Sequence, residues 1–297
     1  MSKILFIILF AILGWVCGAL VNYLADVLPW RRRLVAPFCQ KCEAPVPIFN
    51  YFLWPRRCPV CQHPRRWRTW LVEIIGILAT LWLWNSPPTK LGFILGLVVL
   101  LYFAVVVIID LEYRLIMHPV SIAGAVLGLG VGVILNGWMK TLLGGIIGFG
   151  VMFLFYYLGT LFARWMARRR GENLDGEALG FGDVNLSGVL GLMLGSSLIL
   201  VGLFFAVFIG AVISLLYMLG MMIARKYKLI AAIPYGPFLV TGAFILIYLG
   251  NYIKLILGSN LCDWPKVTLQ NSTLPRLIIG ISSISVPVYT KYLRVFA

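Results

Sequence analysis

The sequence predicts an all-α polytopic membrane protein with about eight transmembrane helices and one small cytoplasmic loop domain. Three observations predict it. The 297 residues are 61% hydrophobic and 12% charged, with a mean hydropathy of +0.97, whereas water-soluble domains are roughly 45 to 50% apolar. The apolar residues fall into runs of about bilayer length separated by polar gaps. Lys and Arg are concentrated in alternate gaps.

In chain order the expected spans are 4–28, 70–84, 91–109, 116–135, 141–163, 184–194, 198–223 and 229–250. The first is too long for the apolar part of a cleaved signal and reads as a retained helix. The apolar stretch 184–223 is about twice one span, and Gly195-Ser196-Ser197 offers its turn. The first half of that stretch is short for a full crossing, which implies a tilt or a locally thinned membrane. Four segments follow: a first helix over 1–29, a loop domain over 30–69, a seven-helix core over 70–250, and a more polar, extracytoplasmic or interfacial tail over 251–297. No internal repeat stands out.

The formal charge of +15 does not indicate nucleic acid. Most basic residues sit in short segments between spans, where they set topology and meet anionic lipid headgroups. The expected partner is the bilayer. The odd-numbered gaps hold Arg31, Arg32, Arg33, Lys41, Arg56, Arg57, Arg65, Arg66, Arg68, Arg114, Arg164, Arg168, Arg169, Arg170, Arg225, Lys226 and Lys228. By the positive-inside rule these gaps are cytoplasmic and both chain ends are outside. Asp110, closing the third span, and Asp183, opening the sixth, then reach the cytoplasmic membrane face together.

The loop between the first two spans carries Cys39-x2-Cys42 and Cys58-x2-Cys61, a spacing that lets two thiolate knuckles close a tetrahedral zinc site. Thiols stay reduced on the cytoplasmic side, which favours structural zinc over disulfides. A loop of this size lacks the apolar content for a core of its own, so metal would supply its folding energy. Arg56, Arg57, Arg65 and Arg66 are placed to offset the negative charge of four thiolates. His63 could replace a thiolate but is expected to be solvated, and Cys17 and Cys262 are given no role.

Carboxylates at membrane depth are costly, roughly 2.5 to 3.5 kcal/mol near the centre, and need a reason. Two at one depth can share a proton and activate a water, the minimum equipment of an aspartyl protease. Helix capping accounts for Asp183 but not for Asp110, which lies at the unfavourable end of its run; ion binding is the other alternative. Gly180 and Gly182 would let the backbone bend sharply beside Asp183 or approach a substrate strand.

The segment Gly180-Phe181-Gly182-Asp183 resembles the G-x-G-D signature of the type IV prepilin leader peptidases, and Ile109-Asp110-Leu111 resembles that family's first aspartate motif. The paired-cysteine loop, Val72-Glu73 and Ile233-Pro234-Tyr235-Gly236-Pro237-Phe238 are similar to the family in the same order, over roughly residues 10 to 250. The resemblance implies a multi-pass enzyme of the bacterial inner membrane. Its active site, Asp110 and Asp183, would lie at the cytoplasmic face and remove the short basic leader of membrane-inserted prepilins or pseudopilins. In bifunctional members the new N-terminus is then methylated from S-adenosylmethionine.

Departures from the family pattern are Val27 where an arginine is usual, His118 before Pro119, and Asn185 where relatives often carry lysine. Asn22 and Asp26, one turn apart on the first span, and Glu73 on the second are polar groups in apolar runs. Interhelical hydrogen bonding is one account of them. The resemblance places Asn22 and Glu73 in a methyl-transfer region. Glu172, Asp175 and above all Glu177 precede the motif and could receive the leader's lysines. The rivals are a presenilin-like intramembrane protease, a metal or ion transporter, and a structural pilus-assembly component.

Overall fold

A computed structural model describes residues 2–53, 56–88, 90–170, 180–223 and 234–250. Among the described residues there are nine helices and no strand. They are α1 (Ser2–Arg31), α2 (Ile48–Phe52), α3 (Arg68–Asn85), α4 (Gly92–Tyr113), α5 (His118–Asn136), α6 (Trp138–Arg170), α7 (Phe181–Leu194), α8 (Ile199–Ile223) and α9 (Gly236–Tyr248). All but the five-residue α2 coincide with the eight expected spans. Of these, α1, α4, α5, α6 and α8 are long and apolar enough to cross a membrane. The tail, Glu172, Asp175, Glu177 and Cys262 lie outside the described residues.

Helix bounds differ from expectation where a local signal overrides the apolar run. The first helix passes through Pro29 to Arg31 and ends with Arg32 in the left-handed region, φ 53. The fifth long run reaches Arg170 rather than residue 163, giving α6 33 residues and a length of about 50 Å, more than the roughly 30 Å hydrocarbon core. Gly195, φ 72, closes α7 and makes the turn expected at that point.

The brevity of α7 follows from where it sits. Its 14 residues span about 21 Å, but α5, α6, α8 and α9 all pack on it. Val184, Leu186, Ser187, Leu190 and Met193 are buried. A helix wrapped by protein need not match the lipid thickness, so neither tilt nor thinning is required to explain its length.

Close packing at its centre depends on the absence of side chains. A Cβ on Gly144 of α6 would stand 2.4 Å from the Gly191 carbonyl oxygen of α7, and one on Gly191 would stand 2.2 Å from that of Gly144. Ser187 Oγ donates to the Gly148 carbonyl at 2.8 Å. Small residues and one hydroxyl thus bring two backbones together without help from water, as lipid-embedded helices require. The outward faces stay apolar, with Phe204, Val207 and Phe208 of α8 exposed, where lipid covers them.

Candidate active site and metal centre

Asp110 lies near the C-terminal end of α4 and Asp183 in the first turn of α7; both are buried, 5% and 8% exposed. The two helices that carry them both pack against α9. The backbone N–H of Gly236, at the start of α9, donates to Asp110 Oδ2 at 2.9 Å. A Cβ on Gly236 would stand 2.6 Å from that oxygen, so a side chain there would displace the carboxylate. Tyr235, the residue before it, is within electrostatic reach of Asp183. Arg114, the left-handed C-cap of α4, φ 51, is within reach of Asp110. Three helices that are distant in sequence therefore converge on one polar spot.

The glycines of the G-x-G-D segment act differently from expectation. Gly180 is the N-cap of α7 at φ −72, ψ 137, a conformation open to any residue. Gly182 is needed for packing: its Cβ would stand 2.8 Å from that of Ile116 in the link between α4 and α5. That contact draws the start of α7 toward the end of α4, and with it one aspartate toward the other. The close approach served by Gly182 is to the protein's own chain rather than to a substrate strand. Capping does not account for Asp183 as the helix's N-cap, because Gly180 holds that place.

The four loop cysteines form a second cluster. Their Sγ atoms all lie within 4.8 Å of one another, with Cys39–Cys61 at 3.6 Å and Cys42–Cys58 at 3.5 Å. A tetrahedron with Zn–S bonds of about 2.3 Å has edges of about 3.8 Å, so the donor set fits zinc. The thiols are free, with no disulfide between them. The N–H groups of Cys61 and Val60 pull the Cys58 thiol down, whereas burial and the neighbouring cysteines push Cys42 up, so without metal the four sulfurs share protons that a bound cation would displace. His63 contributes no ligand to the cluster.

The two knuckles repeat each other, although no internal repeat is evident at the level of whole segments. In Phe38-Cys39-x2-Cys42-x2-Pro45 and Arg57-Cys58-x2-Cys61-x2-Pro64, the residue before the first cysteine bridges to the proline. Glu43 and Gln62 donate back to the carbonyls of Cys39 and Cys58, and both take positive φ, 56 and 55. The shared Cys-x2-Cys-x2-Pro spacing is the signal that could have revealed the repeat.

The arginines around this loop do not mainly offset thiolate charge. Arg56 reaches Glu73 of α3 at 2.9 Å, both side chains about 5% exposed, and Arg65 reaches Asp26 of α1 at 2.6 Å. Arg68 bridges Asp26 and Glu112 of α4, and Arg66 meets Glu112 at 3.3 Å. They fasten the loop to the helices. Asp26 is the hub, also accepting from Tyr51 Oη at 2.7 Å, a role that the sequence does not suggest beyond its placement one turn from Asn22. Asn22 Nδ2 donates to the Thr69 carbonyl at 3.0 Å, and Trp15 Nε1 donates to Glu73 at 3.0 Å. Interhelical bonding thus accounts for both polar residues. Beside them, a cavity of about 280 Å³ is lined by Asp26, Tyr51, Arg56, Arg65 and Thr69, among others.

Two family models match this chain. The type IV leader peptidase family matches residues 94–215, which contain both aspartates, and the bacterial peptidase A24 N-terminal domain matches residues 12–86, which contain the four cysteines. The chain belongs to the type IV leader peptidase family. Among its relatives, the prepilin leader peptidase/N-methyltransferase of Aeromonas hydrophila is 25% identical over 236 residues, 77% of this chain and 76% of the relative. The protein of the same description from Bacillus subtilis (strain 168) is 24% identical over 266 residues, 83% of this chain and 98% of the relative. That of Aeromonas salmonicida is 23% identical over 248 residues, 80% and 78% of the two chains. No solved structure matches. Membership in the leader peptidase family favours neither a presenilin-like protease nor a transporter.

Proposed function

We propose that the protein is a membrane aspartyl endopeptidase that removes the leader of prepilins or pseudopilins at the cytoplasmic face of the bacterial inner membrane and methylates the new N-terminus. The observation that carries the reading is two buried carboxylates, Asp110 near the end of α4 and Asp183 in the first turn of α7, on helices that α9 packs against together. An ionised and a protonated carboxylate divide the work between them. The ionised member takes a proton from water as the oxygen attacks the peptide carbonyl. The protonated member donates to the carbonyl oxygen. The Gly236 N–H holds one oxygen of Asp110 in place, so the reacting pair is oriented before substrate arrives. The proton belongs to the pair rather than to either residue.

The Lys and Arg bias of the odd-numbered gaps supports the cytoplasmic placement. A helical substrate inserted in the same membrane needs only to bring its bond to this boundary. Glu177 remains our candidate receptor for leader lysines, because the basic cytoplasmic loops would otherwise repel them. Zinc in the Cys39, Cys42, Cys58 and Cys61 cluster is structural, since four protein ligands leave no open position for chemistry.

The methyl donor of the second activity is S-adenosylmethionine, which supplies an electrophilic methyl group when bound. Arg56 lines the cavity beside the loop with Nη1 lacking a hydrogen-bond partner, and behind the lining residue Thr69, to which Asn22 is bonded, the buried Asn22 Oδ1 also lacks one. An orphaned donor and acceptor fit a zwitterionic ligand, and Arg56 is held there by Glu73. Asn22 and Glu73 therefore belong to the methyl-transfer region as supports.

The test is co-expression with a prepilin reporter, followed by mass spectrometry of its mature N-terminus. Wild type yields a shortened, methylated product. Asp183→Asn yields the intact precursor. Normal processing by that variant would remove the proposal.

A further inference from the structure

Five arginines near the loop are engaged with carboxylates: Arg31 with Glu43, Arg56 with Glu73, Arg65 with Asp26, Arg66 with Glu112, and Arg68 with both Asp26 and Glu112. Arg32 and Arg33, immediately after α1, are exposed and have no carboxylate partner among the described residues. Arg32 is also held at φ 53, its N–H bonded to the Leu28 carbonyl at 2.9 Å, so the chain turns sharply at that point. These two free cations stand at the mouth of a cavity of about 390 Å³ between α1, α4 and α5. Apart from them and Tyr102 its lining is apolar, including Leu20, Leu24, Leu28, Val105 and Ala123.

The orientation of this groove is set by the bundle. Trp30 Nε1 donates to Tyr113 Oη at 3.3 Å, so the arginine mouth lies level with the end of α4, where a membrane surface would be. From Leu28 to Leu20 the groove descends about 12 Å along α1, a depth suited to a single hydrocarbon chain. Leu20 and Ala123 are exposed, so this wall opens outward to the bilayer.

We propose that the groove between α1, α4 and α5 binds an anionic phospholipid, its phosphate between Arg32 and Arg33 and one acyl chain along the apolar lining. Charge complementarity selects this occupant. A guanidinium pair pointing into the headgroup layer attracts a phosphate bearing net negative charge. A substrate helix carrying a basic leader would meet like charge at the same mouth. The inference is independent of the peptidase reading, since none of its residues belongs to the aspartate site.

Native mass spectrometry of the full chain, released from detergent with equal amounts of phosphatidylglycerol and phosphatidylcholine, tests it. Wild type should retain phosphatidylglycerol preferentially, and each of Arg32→Gln and Arg33→Gln should lower that retention about fivefold. Ala123→Trp should fill the groove and lower retention of both lipids. The unfolding midpoint in detergent should be unchanged in all three variants, separating lost binding from lost fold. Equal retention of the two lipids by wild type, or unchanged phosphatidylglycerol retention in both Arg32→Gln and Arg33→Gln, would overturn the proposal. So would a photocrosslinker at position 123 that captures a co-expressed prepilin helix in place of lipid.

Discussion

Both halves of this protein pack helices closely at glycine, Gly14 and Gly18 against α3 in the first and Gly144 against Gly191 in the second, but the first adds a network of charge. Residues 12–86 join loop to helix through charge: Asp26 and Glu73 are bound by Arg56, Arg65 and Arg68, while Arg66 and Arg68 reach across to Glu112 of α4. Residues 94–215 join helix to helix through missing side chains, as at Gly144 and Gly191, with one buried hydroxyl at Ser187. The difference reflects solvent. A loop beside the membrane surface can exploit long cationic side chains because water and headgroups tolerate their partial exposure. Helices in hydrocarbon gain little from burying apolar groups against one another and depend on close van der Waals contact. The aspartates sit in the second half, where the backbone is rigidly packed. The metal cluster sits in the first, whose shape depends on ligands.

The sharpest way to break the comparison is to remove the acids. Asp110→Ala or Asp183→Ala should lower reporter cleavage by at least about 10²-fold, with the unfolding midpoint and zinc content retained. Cleavage by the single variants at near-normal rate would show that the packed half does not house the chemistry.

The next largest effect belongs to the metal half. Cys39→Ser, Cys58→Ser or chelation should strip zinc, read by elemental analysis, and expose the loop to limited proteolysis between residues 30 and 69. The α6–α7 pair should remain protected. Full thermal stability in metal-free protein would mean that charge alone holds the loop.

Gly236→Ala sharpens the packed half, since the added Cβ would meet Asp110 Oδ2 at 2.6 Å. We expect cleavage to fall at least about tenfold, about 1.4 kcal/mol in the barrier, while methylation of a pre-cleaved substrate is spared. Loss of methylation to the same degree would indicate a general fold defect.

Two ion pairs complete the series. Arg56→Met leaves Glu73 buried without its partner and should destabilise the first half by about 3 to 5 kcal/mol, seen as early unfolding of that half in hydrogen exchange. Arg66→Ala breaks an exposed arm of the Glu112 cluster, 60% exposed on the arginine side, and should cost less than about 1 kcal/mol. Equal effects from the two would contradict a loop fastened mainly by its buried contacts.

Much of the site was legible in advance because its signals are local. The Cys-x2-Cys pairs announce their cluster through spacing, and Asp110 and Asp183 stand out as charges that hydrocarbon would reject. The turn at Gly195-Ser196-Ser197 was visible as a break in an apolar stretch. By contrast, the sequence offers a sharp bend or a substrate strand as the reason for Gly182 and does not point to Ile116, and it offers the thiolates as partners for loop arginines of which Arg56, Arg65 and Arg66 reach the helices. Both differences have one origin. A residue's type shows what it can bond to, but its partner is chosen by elements arriving from elsewhere in the chain. Gly236 is the clearest case, since nothing in its immediate neighbourhood indicates a carboxylate from α4.

By itself the sequence determined the class of solvent this protein folds in, the placement of its eight apolar helices, the cysteine pairs of the loop between the first two of them, and which acids are out of place in lipid. Those properties depend on hydropathy and on spacings of a few residues, which act within one element. Only the tertiary structure decided that α7 is enclosed by four other helices, that Asp26 and Glu112 are joined through Arg68, and that a backbone N–H from α9 steadies Asp110. Such contacts depend on how closely whole helices can approach, which the summed shapes of their faces set and no single segment encodes.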